Sequence, residues 1–241
     1  MRNIYYLLTL FLLTMLTQAQ NFEKDIISTS SGNLSITFLG HGTLYFEFEG
    51  KVIHIDPVSD YANYKNLPKA DLILVTHHHS DHLDSIAIET LWKSTTELVL
   101  TETCFEKMQK GIVMKNGNEK EVAGFPISAV PAYNILHKRE NGEPFHPKGI
   151  GNGYIIGFGD KAVYIAGDTE NIPEMNEMEG IDIAFLPMNL PYTMTPEMTA
   201  DAAKKIKPKI LYPYHYGNSD VNELIYLLNN QNIEIRIRKM Q

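Results

Sequence analysis

The chain has 241 residues, of which 44% are hydrophobic and 21% charged, and its formal net charge at pH 7 is -8. This composition is typical of a packed globular protein and excludes collagen-like, coiled-coil and disordered chains. The negative charge argues against nonspecific nucleic-acid binding, which needs clustered Lys and Arg side chains. We therefore expect a globular protein that binds no nucleic acid.

The first residues predict a secretory signal peptide, residues 1–19. Arg2 provides a positive start, residues 4–16 form an apolar run, and residues 17–19 have small side chains at the positions that a signal peptidase reads. The apolar run is shorter than the roughly 20 residues of a membrane-spanning helix, although an uncleaved anchor is the alternative. We predict a periplasmic or secreted protein with no stable membrane insertion, and a single domain over residues 20–241.

The first half of this domain predicts a meander of short strands, followed by strands that alternate with helices. The early strands are rich in β-branched and aromatic residues and are broken by glycines, whereas a later, continuous apolar run indicates a strand buried on both faces. The predicted strands are residues 34–39, 43–49, 51–55, 71–76 and 97–101, and the predicted helices are residues 84–92 and 102–110.

The second half repeats this arrangement. Residues 154–158 and 161–166 predict a hairpin, because Gly159 and Asp160 form a favourable turn pair. A helix begins after Thr195, which is a good N-cap. The remaining predicted elements are strands at residues 181–186, 209–214 and 233–237 and a last helix at residues 220–229. A meander followed by alternation, twice over, indicates two packed sheets with helices outside.

The stretch that carries the chemistry reads Thr-His-His-His-Ser-Asp-His over residues 76–82, between a predicted strand and a helix. In extended backbone His77 and His79 point to the same side and can bind one ion together. Asp81 and His82 lie where the chain turns, so they can face a second ion. Imidazole and carboxylate groups are zinc ligands, and a catalytic zinc site keeps one position open for water. The alternative is a polar loop without a metal.

The pattern His-x-His-x-Asp-His at residues 77–82 resembles the signature of the metallo-β-lactamase superfamily. The resemblance extends through Gly-His-Gly at 40–42, Ile-Asp-Pro at 55–57, Ala-Gly-Asp-Thr at 166–169 and Tyr-His-Tyr at 214–216. The subgroup it is most similar to contains the ascorbate phosphate lactonase-like and phospholipase D-like metal-dependent hydrolases. The resemblance implies an α/β (α+β) fold, a four-layer αβ/βα sandwich with the metals at one edge, which agrees with the predicted elements.

The resemblance also implies two divalent metal ions, of which zinc is expected and manganese or iron are alternatives. The implied assignment is His77 and His79 to the first ion, Asp81 and His82 to the second, Asp168 to both, and His215 to the second. Asp168 and His215 each end a predicted strand. Asp168 could instead cap a helix, and His215 could be structural.

The sequence leaves undecided which histidine is the last ligand of the first ion. Relatives commonly place a histidine soon after a Pro-Ala-like turn, but Asn134 occupies that position here. The candidates are His146 and His137, both in the long polar segment of residues 133–152. His146 is favoured, because the predicted hairpin brings its loop to the same edge as Asp168.

Several other residues near the predicted metal site have two possible roles. His41 and Asp56 end early strands and could approach the site, and Asp56 could fix the ring of a ligating histidine or simply form a turn. Residues 188–194 could line the substrate pocket or pack in the core. The charged side chains of Lys138, Arg139 and Lys148 could contact an anion or form a solvated cluster.

The predicted function is hydrolysis. A hydroxide held between two divalent ions is a nucleophile near neutral pH, and Asp81 or Asp168 could pass a proton to the leaving group. Two ions, two carboxylates and one hydroxide leave a positive site, which favours an anionic small molecule with an ester, lactone or phosphodiester bond. The alternatives are an iron-dependent oxidoreductase, against which His79 argues, and a noncatalytic metal-binding protein. We do not expect a true β-lactamase.

Overall fold

The computed structural model describes residues 21–241 and shows two seven-stranded β-sheets packed face to face. The predicted signal peptide, residues 1–19, lies outside the described residues, so cleavage and export stay predictions. Within the described part of the chain, no helix has the length and apolar character to cross a membrane.

The first sheet contains its strands in sequence order. Its strands are β1 (Glu23–Thr29), β2 (Gly32–Gly40), β3 (Thr43–Phe48), β4 (Lys51–Ile55), β5 (Leu72–Leu74), β6 (Glu97–Leu100) and β7 (Ile112–Val113). The strands β1 to β4 are antiparallel, joined by short turns, whereas β4 to β7 are parallel. Parallel neighbours need a crossover connection, and helices supply two of these crossovers here.

The second sheet has the same plan. Its strands are β8 (Glu119–Val122), β9 (Phe125–Ala132), β10 (Gly151–Phe158), β11 (Lys161–Ile165), β12 (Ile183–Pro187), β13 (Ile210–Tyr214) and β14 (Glu234–Ile235). Again the first four strands are antiparallel and the last four are parallel. The predicted turn at Gly159 and Asp160 joins β10 to β11, and Tyr154 pairs with Ile165 across that hairpin.

Helices cover the outer faces of both sheets. They are α1 (Ser85–Leu91), α2 (Glu102–Met108), α3 (Pro196–Ile206) and α4 (Val221–Leu227), with short 3-10 helices at Tyr64–Asn66 and Pro173–Glu177. Each α-helix begins at a side-chain cap. The hydroxyl of Thr195, for example, accepts a hydrogen bond from the Met198 N–H, as the sequence predicted for α3. The predicted four-layer sandwich is confirmed.

Two apolar layers hold the sandwich together. Between the sheets, Phe46 of the first sheet and Phe158 of the second have ring centroids 5.3 Å apart. Under α1 and α2, a separate cluster packs Ile88 and Cys104 against Ile73 of β5. Because β5 is buried on both faces, its sequence is continuously apolar instead of alternating, as was predicted.

The sequence pattern did not predict β1 or β7 to β9. Strand β1 lies at an edge, and its charged residues hide the strand pattern. Strand β9 contains Pro126 and Pro131, and proline argues against an internal strand because it cannot donate to the ladder. Tertiary pairing with β8 and β10 outweighs that preference.

Candidate metal centre

The predicted ligands converge at one edge of the sandwich. His77 to His82 follow β5, Asp168 follows β11 and His215 follows β13, so they come from the carboxyl ends of parallel or hairpin strands in both sheets. His146 comes from the long loop between β9 and β10. Two glycines make room for this convergence. A side chain at Gly42 would place its Cβ 2.8 Å from the His82 ring, and Gly167 has a φ of +65° against the carbonyl of Asn152.

Three imidazoles and one carboxylate form the first group of donors. The Nδ1 of His79 lies 3.2 Å from Nε2 of His77 and 3.2 Å from Nε2 of His146. Oδ2 of Asp168 lies 3.2 Å from the His146 nitrogen and 3.8 Å from the His77 nitrogen. Two donors at about 2.1 Å from one ion are roughly 3 to 4 Å apart, so these atoms can share an ion.

The second group lies on the other side of Asp168. Oδ2 of Asp81 lies 3.6 Å from Nε2 of His215 and 3.8 Å from Nε2 of His82. The Asp168 carboxylate reaches both histidines, with Oδ1 3.4 Å from His82 and Oδ2 3.5 Å from His215. Asp168 is therefore the side chain that joins the two groups. His41 also contacts this group, through Nε2 at 3.1 Å from Oδ2 of Asp81.

Two of the histidines are oriented through their second nitrogen. Nδ1 of His82 donates to Asp56 at 2.8 Å, and Asp56 also accepts from the N–H and hydroxyl of Thr76. Nδ1 of His146 donates to the side-chain carbonyl of Asn134 at 2.6 Å. In both rings this leaves Nε2 facing the cluster. Partners of this kind fix the ring orientation and tautomer of a metal-binding histidine.

A buried carboxylate, Glu170, holds the loop that carries these residues. It accepts hydrogen bonds from the backbone N–H groups of Ile135, Leu136 and His137, and from the side-chain amide of Asn134. Its side chain also bonds Nδ1 of His137 at 2.8 Å. The structure therefore brings His146 into the donor cluster and places His137 outside it, against Glu170.

The pKa values of histidines in both donor groups favour binding of a cation. Burial and the neighbouring His146 lower the pKa of His79 to about 4, and burial with the proximity of His82 lowers the pKa of His77, so both rings are neutral at pH 7. Burial lowers the pKa of His82 too, but Asp168 and Asp56 raise it more, to about 9. The carboxylates around His82 therefore stabilise positive charge at this ring, and a bound cation would replace its proton.

Unpartnered buried atoms show that the donor set fits metal ions. Nε2 of His82, Nε2 of His215 and Oδ1 of Asp168 are buried and have no hydrogen-bond partner among residues 21–241. Burying such groups unpaired is costly, and buried charges are normally paired or bound to a metal. All three atoms face one another across the second group. Imidazole nitrogens with carboxylate oxygens are a donor set typical of zinc, iron or manganese.

A cavity of about 400 Å³ opens onto these groups. Besides the predicted ligands, its walls contain His41, Ser80, Arg139, Phe145, Asn189 and Tyr192. The rings of Phe145 and Tyr192 pack edge to face with centroids 5.1 Å apart, and the guanidinium of Arg139 lies 5.0 Å from the Phe145 centroid. The pocket thus combines donor groups at its base with an aromatic pair and one cation at its wall.

The model of the beta-lactamase superfamily domain matches residues 35–215. This chain belongs to the beta-lactamase superfamily. The membership that the sequence motifs predicted is confirmed, and the matched region includes every donor of both groups.

Relatives of this superfamily member include proteins named metal-dependent hydrolases. A UPF0173 metal-dependent hydrolase of Methanopyrus kandleri is 33% identical over 196 residues, covering 76% of this chain and 84% of the relative. The crystal structure of a proposed metal-dependent hydrolase from Parabacteroides distasonis has a TM-score of 0.88 at 48% identity, covering 92% of this chain and 100% of that one. Igni18, a metallo hydrolase from Ignicoccus hospitalis, has a TM-score of 0.70 at 27% identity, over 86% of this chain and 95% of that one.

Two contacts near the donor groups of this superfamily member were not predicted from the sequence. Asn189 lies 3.2 Å from Nδ1 of His215, and Glu170 organises the loop around Asn134. Residues 188–194 serve both predicted roles, because Asn189 and Tyr192 line the pocket while the methionines at either end are buried in the core. The only sequence signal for Glu170 was its position two residues after Asp168.

The three cations of the long loop separate in the structure. Lys148 pairs with Glu174 at 2.7 Å, away from the donor groups. Lys138 is exposed and does not line the pocket, whereas Arg139 does. Only Arg139 of these three is placed to meet a ligand in the pocket.

Proposed function

We propose that this superfamily member is a dinuclear metal-dependent hydrolase that cleaves an ester, lactone or phosphodiester bond in a small anionic molecule. The observation that carries the proposal is the pair of donor groups joined by Asp168, with unpartnered buried atoms of His82, His215 and Asp168 facing one another beneath an open cavity. Zinc is the proposed metal, with manganese or iron as alternatives.

Two bound divalent ions would supply Lewis acidity and lower the pKa of water toward neutrality. His77, His79 and His146 with Asp168 would hold one ion, and Asp81, His82 and His215 with Asp168 would hold the other. Neutral imidazoles and ionised carboxylates are the protonation states required for this role.

The two carboxylates differ in their access to the pocket. The Asp81 side chain is 41% exposed, whereas that of Asp168 is 3% exposed. In the proposal the ionised Asp81 would take up a proton from a water in the pocket and pass it to the leaving group. Asp168 is enclosed by imidazoles, and in the proposal it would be a ligand of both ions.

Arg139 supports an anionic substrate. Its guanidinium donates to the Phe145 carbonyl at 3.4 Å, and no carboxylate among the described residues forms an ion pair with it. Arginine presents several donors in a fork that matches carboxylate and phosphate groups. A negative group of the substrate would thus bind at the wall, with its apolar part against Phe145 and Tyr192.

The test combines metal analysis with a panel of esters, lactones and phosphodiesters, offered to metal-replete protein. We expect turnover on at least one bond class, and we expect His79→Ala to abolish it and to lower metal content while circular dichroism is unchanged. His78→Ala is the matched control, because His78 lies outside the donor groups, and it should retain turnover.

Three outcomes would contradict the proposal. Metal-replete protein that turns over no compound of the panel would indicate a noncatalytic metal-binding protein. Bound iron with oxygen consumption would favour the oxidoreductase. Efficient hydrolysis of nitrocefin would identify a β-lactamase and remove the argument for an anionic ester, lactone or phosphodiester.

A further inference from the structure

His41 places a ring nitrogen close to the donor atoms of the second group. Its Nε2, the Asp81 carboxylate and the ring nitrogens of His82 and His215 all lie within 4.8 Å of one another. The rings of His41 and His215 are in contact, with centroids 3.6 Å apart, and Nε2 of His41 lies 3.1 Å from Oδ2 of Asp81. The superfamily resemblance assigns no ligand at this position.

The backbone around His41 is built to hold the ring there. His41 has a φ of +54°, a conformation that few non-glycine residues adopt. Its carbonyl accepts a hydrogen bond from the His215 N–H at 3.0 Å, which ties the β2–β3 turn to the end of β13. On its other side, the Tyr61 ring stacks on His41 at a centroid distance of 5.1 Å.

We propose that His41 is an additional ligand of the second ion, so that the two metal positions differ in coordination. The inference rests on the proposed metal centre. The first position has four protein donors, from His77, His79, His146 and Asp168. The second has five, from His41, Asp81, His82, Asp168 and His215.

This difference has a consequence for metal choice. Zinc is bound by imidazole and carboxylate donors at low coordination numbers, which suits the first position with its smaller set of protein donors. Five protein donors at the second position would suit a metal that accepts more than four ligands, such as manganese. The two positions would therefore differ in the metal that they prefer.

A competing role for His41 is purely that of a hydrogen-bond donor to Asp81. The two roles differ in what removal of the ring does to the ion itself. Loss of a ligand changes the coordination number, whereas loss of a hydrogen bond to a ligand leaves the coordination number unchanged. Cobalt(II) distinguishes them, because its visible absorption is intense with four ligands and weak with six.

The experiment isolates the second position by using His146→Ala, which removes a donor from the first position only. In this background we expect one cobalt ion with weak visible absorption. Adding His41→Asn should weaken cobalt binding by at least about 10-fold and intensify the spectrum as coordination falls. Asn tolerates positive φ, so the backbone conformation should be retained. His78→Asn is the control and should leave both quantities unchanged.

A second variant, His41→Gly, separates loss of the imidazole from misfolding of the protein. Glycine adopts positive φ without strain, so His41→Gly should fold, and added imidazole should restore the weak spectrum and the affinity. Unchanged cobalt affinity and spectrum in both His41 variants would overturn the inference while leaving the metal centre intact. If the wild-type protein bound no cobalt at all, the proposed metal centre itself would fail.

Discussion

Asn134 changes which residue can serve as the third imidazole of the first group. It occupies the position where the family resemblance leads one to expect a histidine, and its side chain instead accepts from the backbone N–H and the ring of His146. Glu170 in turn holds the Asn134 amide. His146, which lies 12 residues further along the chain, thereby reaches the donor cluster.

This arrangement predicts different outcomes for the two candidate histidines. His146→Ala should lose about one equivalent of metal and lower hydrolytic activity by 10-fold or more, because it removes a donor from the first group. His137→Ala should retain both equivalents, since Glu170 keeps four other donors to its carboxylate. Metal content by mass spectrometry checks both. Retention of two equivalents in His146→Ala, or loss of one in His137→Ala, would reverse the assignment.

At the scale of elements, a carboxylate clamp joins the two sheets at their edge. Asp25 of β1 accepts hydrogen bonds from the Tyr212 hydroxyl of β13 and from the guanidinium groups of Arg236 and Arg238 beyond it. Burial raises the pKa of Asp25, but the hydrogen bonds of Arg238 and Tyr212 outweigh burial and lower it below its usual value. The ionised form is thus stabilised in the folded protein.

The clamp should make stability depend on pH in a defined window. Because the pKa of Asp25 is lower when folded, its contribution is complete above the unfolded value of about 4 and is lost as pH falls through the folded pKa. At pH 7, Asp25→Asn should lower the free energy of unfolding by about 1–3 kcal/mol. Urea titrations should show this difference shrinking below about pH 4.

The matched control for the clamp is Glu47→Gln. Glu47 of β3 forms an exposed ion pair with Lys24 of β1, and such pairs contribute about 0–1 kcal/mol. Glu47→Gln should therefore lower the free energy of unfolding at pH 7 by less than Asp25→Asn does. If Asp25→Asn lowered the free energy of unfolding by the same amount from pH 7 to pH 3, the charge of Asp25 would not contribute to stability.

For the whole molecule, the proposed ions link loops at the ends of strands from both sheets. Ligands that bind only the folded state stabilise it, by about 2.7 kcal/mol at a free concentration 100 times the Kd. Chelation should therefore lower the Tm by about 5 °C or more for a protein of this size. Thermal melts followed by circular dichroism, with and without chelator, measure this change.

His79→Ala supplies the control for chelation. Because it already lacks one donor of the first group, its Tm should respond less to chelator than that of the wild type. An equal Tm for metal-replete and chelated wild-type protein would mean that the donor cluster does not hold ions that couple to folding.

The sequence by itself determined the sandwich fold and the superfamily, because both depend on local patterns. Strand and helix periodicities, turn pairs and caps are properties of neighbouring residues, and the cluster from His77 to His82 lies within one short segment. The ends of β11 and β13 were also readable, since Asp168 and His215 directly follow apolar runs.

The sequence favoured His146, and it left open the roles of His41 and Arg139. Only the tertiary structure placed His146 in the cluster, His41 beside the second group and Arg139 in the pocket wall. Their positions depend on the path of the loop between β9 and β10 and on contacts between residues far apart in the chain, such as the backbone hydrogen bond between His41 and His215. Glu170 shows the same dependence, because its partners lie more than 30 residues away. Periodicity carries no information about such contacts, since they are set by how loops pack once the sheets have formed.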